Sequence, residues 1–244
     1  MTRLPIDRLM NGRAGAAALA VLTLAVLILA GISLAPRGPQ AADPCGDRRL
    51  LISFTGDSYV RGVSEDGGYA TRFPRLIGQA LGADILITAS NGSGYIARGP
   101  AEDAMTYPEQ AERIDEQSDV VIIFGSRNDK GNSFRKIESA AKKTFATVQE
   151  RARNATIFVV GPVWVNNKPT PGILRTRDAV RAAAQEEGVH FVDAIALGWF
   201  GERDQMNGSY HVGILPDAIH PNRVGHRYLA DQILFYLRPM VCHR

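Results

Sequence analysis

A serine, a histidine and an aspartate in this chain have the types and the spacing that nucleophilic catalysis requires. Ser58 lies in the turn Gly56-Asp57-Ser58, directly after a short apolar run, and Asp217 precedes His220 by three residues. A turn that starts at Asp217 can bring its carboxylate to Nδ1 of His220, which leaves Nε2 free to accept a proton from a hydroxyl. We therefore predict that Ser58 is a nucleophile, that His220 is its base and that Asp217 orients the base.

Donors for a developing oxyanion are predicted in the turns that follow two other apolar runs. These turns are Asn91-Gly92-Ser93-Gly94 and Gly125-Ser126-Arg127-Asn128-Asp129. If the three apolar runs are parallel strands, their turns emerge at the same edge of one sheet. The predicted donors are the backbone N–H groups of Ser58 and Gly92 and the side-chain amide of Asn128.

Alternating strands and helices are needed to position these turns, and the hydrophobic pattern predicts them. Apolar runs predict strands at 50–54, 84–89, 119–124, 156–160 and 189–192, and the segments between and after them predict helices at 71–81, 109–117, 132–153, 173–187 and 222–237. This alternation indicates a parallel sheet with helices on both faces. We predict an α/β fold, a flavodoxin-like three-layer α/β/α sandwich with five parallel strands in the order 2-1-3-4-5.

These motifs resemble those of the SGNH hydrolases, the GDSL-type lipases and esterases, over about 190 residues from Leu50 to Tyr236. The turn that ends in Ser58 is similar to the family's first block, whose serine is the nucleophile. Gly92 and Asn128 match the glycine and the asparagine of the family's oxyanion hole, and Asp217 and His220 match its last block, Asp-x-x-His. The resemblance implies the SGNH hydrolase fold and ester hydrolysis through an acyl-enzyme, with no metal or organic cofactor.

One motif departs from the family pattern, and a second motif contains two glycines that could serve as the oxyanion donor. The third block usually reads Gly-x-Asn-Asp, whereas Ser126 holds the glycine position here, and Gly94 is the alternative to Gly92 as oxyanion donor. The acids next to the motif residues, Asp57 and Asp129, are expected to brace their turns. His226, inside the last predicted helix, is expected to be structural.

Aromatic and basic residues in the loops are candidates for contacts with substrate. They are Tyr95, Arg98, Trp164, Trp199 and His211.

An uncharged apolar segment of 23 residues at 14–36 predicts a membrane anchor. A helix of that length extends about 34 Å, enough to cross the hydrocarbon core of a bilayer. Three arginines precede it, which favours a cytoplasmic N-terminus, and a cleaved signal peptide with a secreted product is the alternative. We expect 1–13 in the cytoplasm, 14–36 as a signal anchor, 37–46 as a linker and 47–244 as an extracytoplasmic catalytic domain.

The two cysteines, Cys45 and Cys242, flank the predicted domain. In an exported protein an even pair near the domain ends predicts a disulfide, although two unpaired thiols are the alternative. Their spacing suits no metal site.

The charge distribution argues against a nucleic-acid partner. Residues 1–40 hold four arginines and one aspartate, which accounts for the whole net charge of +3. The remainder is balanced and shows no basic stripe. The predicted partners are an ester substrate and, through the anchor, a membrane, and a monomer is favoured.

Anchoring at the cell envelope makes O-acylated envelope glycans the favoured substrates, with small esters and lipid esters still open. One alternative is an acyltransferase that moves acyl groups onto envelope glycans with the same site. The other is a non-catalytic envelope-binding module, for which loss of a catalytic residue would be expected.

Overall fold

The computed structural model describes residues 49–64, 66–166, 168–201 and 213–241, in which strands alternate with helices as predicted. The strands are β1 (Leu51–Gly56), β2 (Asp84–Ile87), β3 (Val120–Phe124), β4 (Thr156–Val160) and β5 (His190–Val192). The α-helices are α1 (Ser58–Arg61), α2 (Phe73–Leu81), α3 (Tyr107–Ala111), α4 (Phe134–Arg151), α5 (Pro171–Glu186) and α6 (Arg223–Val241). Two short 3₁₀ turns, Tyr69–Thr71 and Arg127–Asp129, complete the elements of this part of the chain.

The five strands form one parallel sheet with the order β2-β1-β3-β4-β5. Each neighbouring pair is parallel, and in the centre of the sheet Gly56 of β1 lies beside Phe124 of β3, and Phe124 beside Val160 of β4. The carboxyl ends of these three strands are therefore level with one another. The predicted fold class, the strand number and the strand order are confirmed.

Both faces of the sheet are apolar, because successive side chains of a strand point to opposite sides. In β3, Val120, Ile122 and Phe124 pack on the side of α2 and α6. Val121 and Ile123 pack on the other side, with α3, α4 and α5. Two buried layers explain why β3 reads as a continuous apolar run, as expected for a strand covered on both faces.

The prediction of a helix at 109–117 is wrong in its bounds, because the helix found there, α3, covers Tyr107–Ala111. The helix α3 begins after Thr106, whose side chain and backbone form a capping box with Glu109. It ends at Ala111, and the segment that follows turns, with the Asp115 carboxylate accepting a hydrogen bond from the Gln117 N–H. The capping box and the turn explain the error, because each satisfies backbone groups locally.

The other helices were predicted at nearly the right places. The helix α2 starts at Phe73 instead of residue 71, because Arg72 is extended, and it ends at Gly82 in the left-handed conformation. The helix α4 starts after Ser133 and α5 after Thr170, while α6 extends four residues beyond the predicted end.

Several predictions fall outside the described residues. They concern the segments 1–13, 14–36 and 37–46, the cysteines Cys45 and Cys242, and His211. Within the described ranges, no helix is long and apolar enough to cross a membrane.

Candidate active site

Ser58 lies where β1 turns sharply into α1, at the carboxyl edge of the sheet. Gly56 permits this turn, because a Cβ there would lie 2.4 Å from Val60 Cγ2 and 2.8 Å from the Phe124 carbonyl oxygen. Asp57 caps α1 by accepting a hydrogen bond from the Tyr59 N–H at 2.9 Å. Ser58 is the first residue of the helix and is 9% exposed. The Ser58 side chain therefore lies largely buried at the amino end of α1.

The turn from Asp217 to His220 places a carboxylate and an imidazole in line with Ser58. Nε2 of His220 is 2.9 Å from Ser58 Oγ, and its Nδ1 is 2.5 Å from Asp217 Oδ2. The other carboxylate oxygen of Asp217 accepts hydrogen bonds from the N–H groups of Ile219 and His220, at 2.8 and 3.0 Å. This is the local geometry that the Asp-x-x-His spacing predicts.

The same hydrogen bonds keep Asp217 ionised. Partial burial opposes ionisation, but the His220 ring and the two backbone N–H groups outweigh it and hold the pKa of Asp217 below its ordinary value. A carboxylate that stays charged can fix the imidazole tautomer with the proton on Nδ1, leaving Nε2 as the acceptor.

Tyr59 connects the Asp217–His220 turn to the helix that carries Ser58. Its hydroxyl donates a hydrogen bond to the Ile219 carbonyl, and its ring stacks on Phe124 with 5.7 Å between centroids. The side chain is almost completely buried. Sequence reasoning missed this residue, because the contact joins positions 160 residues apart.

Two of the predicted oxyanion donors are backbone N–H groups, those of Ser58 and Gly92. Among the described residues, neither the Ser58 N–H nor the Gly92 N–H donates to a protein acceptor. Gly92 has φ +73°, a conformation that favours glycine. The Gly94 N–H donates to the Ala97 carbonyl at 2.8 Å, so Gly92 is the glycine with an available donor.

The Asn128 amide lies between the first and second motif turns. Its Nδ2 donates to the Ser93 carbonyl at 2.8 Å and lies 3.4 Å from Asp57 Oδ2. These contacts bring Asn128 next to the residue that precedes Ser58. The structure thus collects the residues of all four motif blocks at one edge of the sheet.

Asp129 fixes the second turn to the third. This fully buried carboxylate accepts hydrogen bonds from the N–H groups of Tyr95, Ile96 and Ala97 at 2.7, 3.1 and 2.8 Å, and from Ser126 Oγ at 2.6 Å. The Ser126 hydroxyl therefore has a defined partner inside the turn. The serine at the family's glycine position adds a hydrogen bond to the turn that a glycine could not make.

Asp57 is a buried acid directly beside the nucleophile. It is 1% exposed, and burial raises its pKa to about 6, against the opposing effects of the Tyr59 N–H and the positive charge of Arg127. The sequence predicted that Asp57 braces its turn, and its hydrogen bond to the Tyr59 N–H does so. Its perturbed pKa reflects the surrounding buried strand ends and could not be read from the sequence.

Arg127 carries a positive charge into this edge of the sheet. Its guanidinium lies 4.8 Å from the centroid of the Trp164 ring, and its charge acts on Asp57 and Tyr59. Trp164 is held in turn by a hydrogen bond from Nε1 to Asn166 Oδ1 at 3.0 Å. Sequence reasoning did not single out Arg127, although its place next to Asn128 was a usable signal.

The residues predicted to contact substrate are placed in different environments. Trp164 is half-buried on Arg127 and lines a cleft of about 700 Å³ that also reaches Trp199. Trp199 is almost fully buried in the core beside α6 and still forms part of the lining of this cleft. Tyr95 is buried against Tyr107 and Phe145, and Arg98 is bound to Glu109 and the Ala104 carbonyl.

His226 is buried in a polar cluster behind the site, as expected for a structural residue. Its Nδ1 accepts a hydrogen bond from the Phe73 N–H at 3.4 Å, and its Nε2 lies 3.5 Å from Asp66. Burial lowers the pKa of His226 to about 4, against the attraction of Asp66. Within the described segments no group of three or more His, Cys, Asp or Glu side chains is arranged to hold a metal ion.

The described structure is an α/β protein in which the side chains of Ser58, His220 and Asp217 are joined by hydrogen bonds in series. The model of the GDSL-like lipase/acylhydrolase family matches residues 54–228. GDSL lipase Rv0518 of Mycobacterium tuberculosis is 32% identical over 224 residues, which cover 87% of this chain and 91% of the relative. The chain therefore belongs to the GDSL-like lipase/acylhydrolase family, as its motifs predicted, and is an ester hydrolase.

Solved structures with low sequence identity share the fold. A family two carbohydrate esterase from Clostridium thermocellum, in complex with cellohexaose, is 17% identical with a TM-score of 0.61, over 80% of this chain and 66% of that one. The salicylyl-acyltransferase SsfX3 from a tetracycline biosynthetic pathway is 18% identical with a TM-score of 0.57, over 80% and 56% of the two chains.

Proposed function

We propose that this protein hydrolyses carboxylic esters by a Ser-His-Asp mechanism. The observation that carries the proposal is the hydrogen-bonded series from Ser58 Oγ to His220 Nε2, and from His220 Nδ1 to Asp217, at 2.9 and 2.5 Å. A hydroxyl within reach of an oriented imidazole can attack a carbonyl while its proton passes to the ring.

The first half of the reaction forms an acyl-enzyme. Ser58 Oγ bonds to the ester carbonyl carbon, its proton moves to His220 Nε2, and the carbonyl electron pair moves to the oxygen. The Ser58 and Gly92 N–H groups and the Asn128 amide stabilise this oxyanion. As the tetrahedral intermediate collapses, the ester bond breaks and His220 returns the proton to the leaving alcohol.

The second half transfers the acyl group to water. His220 accepts a proton from the water as its oxygen attacks the acyl carbon, and it then protonates Ser58 Oγ as the acid leaves. The His220 and Asp217 side chains are 21% and 41% exposed, so solvent reaches the base and the carboxylate that orients it.

Acyl transfer is the second candidate, and the fold shared with a salicylyl-acyltransferase supports keeping it. The two reactions diverge only when the acyl-enzyme meets either water or an acceptor hydroxyl. Product analysis with a glycan acceptor present separates them, since a transferase yields the acylated glycan faster than the free acid. A non-catalytic module is disfavoured because the nucleophile, base and oxyanion residues are all retained.

We further propose an anchored enzyme outside the cytoplasm that acts on O-acylated envelope glycans. The uncharged segment 14–36 and the arginines before it support the location. The fold shared with carbohydrate esterases supports a glycan as the substrate. Fractionation of cells, followed by protease treatment of intact cells, tests the location. A chain found only in the cytosolic fraction would refute it.

Replacement of the nucleophile tests the mechanism. Ser58→Ala is expected to abolish hydrolysis of p-nitrophenyl acyl esters and labelling by a fluorophosphonate probe. Ser118→Ala is a matched control, because Ser118 is a buried serine at the opposite edge of the sheet, bonded to Ser53 Oγ at 2.8 Å. Full activity of the Ser58 variant, with the control also active, would overturn the proposal.

A further inference from the structure

A second cleft, separate from Ser58, lies between the start of α3 and one face of α4. It has a volume of about 630 Å³, within the range of small-ligand sites, which is roughly 300–1,000 Å³. The face of α4 contributes Lys136, Ser139 and Lys143, and the opposite wall contributes Thr106, Glu109 and Tyr95. None of the residues assigned to the ester reaction lines this cleft.

The cleft has a surplus of positive charge. Arg135, Lys136 and Lys143 line it, and none of them has an acidic partner within 4.0 Å in the described part of the chain. The one acid of the lining, Glu109, already pairs with Arg98. Lys142, which does not line the cleft, pairs with Glu186 and Glu138 instead. The unpaired cations of α4 are thus concentrated on the side that faces the cleft.

The start of α4 adds to the positive potential. The helix has 18 residues, its first turn contains no acid, and no side chain caps its N-terminal N–H groups. Arg135 and Lys136 lie in that first turn, at the positive end of the helix dipole. Cations there are unfavourable in the free protein, and a bound anion would relieve the repulsion.

Tyr95 forms the inner wall of the cleft. The residue is only 1% exposed and its hydroxyl is buried, so that hydroxyl is out of reach of a ligand in the cleft. The ring is fixed between Tyr107 and Phe145, with centroid distances of 4.8 and 6.0 Å. The inner wall is therefore apolar, and the charged groups of the cleft lie on its outer rim.

We propose that this cleft binds an anionic segment of a polysaccharide, with carboxylate or phosphate groups on its sugars. The unpaired cations and the helix N-terminus would bind the charge, and the hydroxyl of Ser139, which is exposed on the same face of α4, would bind the sugar. The backbone N–H of Tyr95 is bonded to Asp129, which fixes the loop between this cleft and the oxyanion turn. That the segment belongs to the ester substrate rests on the proposed function.

Binding of defined oligosaccharides to the full chain tests the proposal. Calorimetry is expected to detect tetragalacturonate but not neutral cellotetraose, for wild type and for Ser58→Ala alike. Ser58→Ala shows whether binding is independent of catalysis. A wild type that binds tetragalacturonate but hydrolyses no ester would refute only the proposed function. Pyrophosphate serves as the competitor. If it displaces tetragalacturonate, the cleft binds phosphate groups as well as carboxylates. If it does not, the cleft binds only carboxylates.

Variants of the cleft supply the decisive comparison. The double variant Lys136→Gln with Lys143→Gln is expected to weaken tetragalacturonate binding at least tenfold. Arg113→Gln with Lys168→Gln removes the same charge from exposed positions outside the cleft and should bind normally. Equal weakening in both double variants, or no binding by the wild type at low salt, would overturn the proposal.

Kinetics test whether this ligand is part of the substrate. For hydrolysis of acetylated polygalacturonate, the KM of the variant Lys136→Gln with Lys143→Gln is expected to be about tenfold above that of wild type. An unchanged KM, together with lost tetragalacturonate binding, would overturn the assignment of the ligand to the substrate.

Discussion

Ser58 and Asn128 lie directly after buried central strands, whereas Asp217 and His220 lie on a turn outside the sheet. The strand ends around Ser58 are fixed by neighbours on both sides, with Asp57 and Asp129 buried beneath the turns. The Asp217–His220 turn is half-exposed and is joined to its surroundings by the isolated bridge between Ile214 and Pro221 and by the Tyr59 hydroxyl.

This difference indicates how each half of the proposed site can be damaged. The half of the site with the nucleophile and the oxyanion donors is held by the sheet. Removal of one polar side chain there should lower kcat without displacing the remaining groups. The base half depends on a few hydrogen bonds, so deletions there should displace the imidazole from Ser58. Four predictions, ordered from the largest expected effect to the smallest, test this comparison.

Removal of the base half's charge should have the largest effect. Asp217→Asn is expected to lower kcat by about 10⁴-fold, because the amide favours the wrong imidazole tautomer at His220. His220→Ala should lose at least as much. Steady-state kinetics on a p-nitrophenyl ester measure both, and circular dichroism checks the fold. A loss below tenfold in either variant would contradict the assigned roles.

Asn128→Ala tests the oxyanion half. Loss of one preorganised donor is expected to lower kcat by about 10²–10³-fold, with little change in KM, because the interaction strengthens only in the transition state. Asn132→Ala, in the same loop but outside the oxyanion site, is the control and should stay within about twofold of wild type. Equal losses in both variants would point to disruption of the loop instead.

The fold and the motif residues of the site were predictable, because both depend on short contiguous patterns. The run Val120–Phe124 followed by a polar turn predicts a strand end, and the block that contains Asn128 stands at that end. The contacts that tie Tyr59 and Asp129 to other turns were not predictable, since they join segments 32 to 160 residues apart. Such pairings follow from packing in three dimensions, which no local pattern encodes.

Asp57→Asn tests the cost of burying an acid under the nucleophile. The pKa of Asp57 rises from 3.8 to about 6, so the folded protein binds a proton between pH 4 and 6 where the unfolded chain does not. This group's contribution to the free energy of unfolding therefore falls by about 2–3 kcal/mol as pH rises through that interval. Asparagine keeps the helix cap but does not titrate.

A second buried group opposes this trend in the wild type. The pKa of His226 falls from 6.5 to about 4, so its contribution rises as pH increases between 4 and 6.5. The two effects should nearly cancel in wild type, whereas Asp57→Asn should become more stable with rising pH and His226→Gln less stable. Urea unfolding at pH 4.5 and 6.5 measures this, and parallel profiles for both variants would contradict it.

Tyr59→Phe makes the smallest change and tests the tether of the base half. The variant keeps the ring stacked on Phe124 but removes the hydrogen bond to the Ile219 carbonyl, which leaves the turn free to shift. We expect kcat to fall about tenfold, since small misplacements of a catalytic group are costly, while the free energy of unfolding falls by about 1 kcal/mol. Ser118→Ala, which deletes a buried hydroxyl far from the site, should lose similar stability at full activity. If both variants kept full activity, the turn would be held by its own hydrogen bonds, and the two halves of the site would be equally rigid.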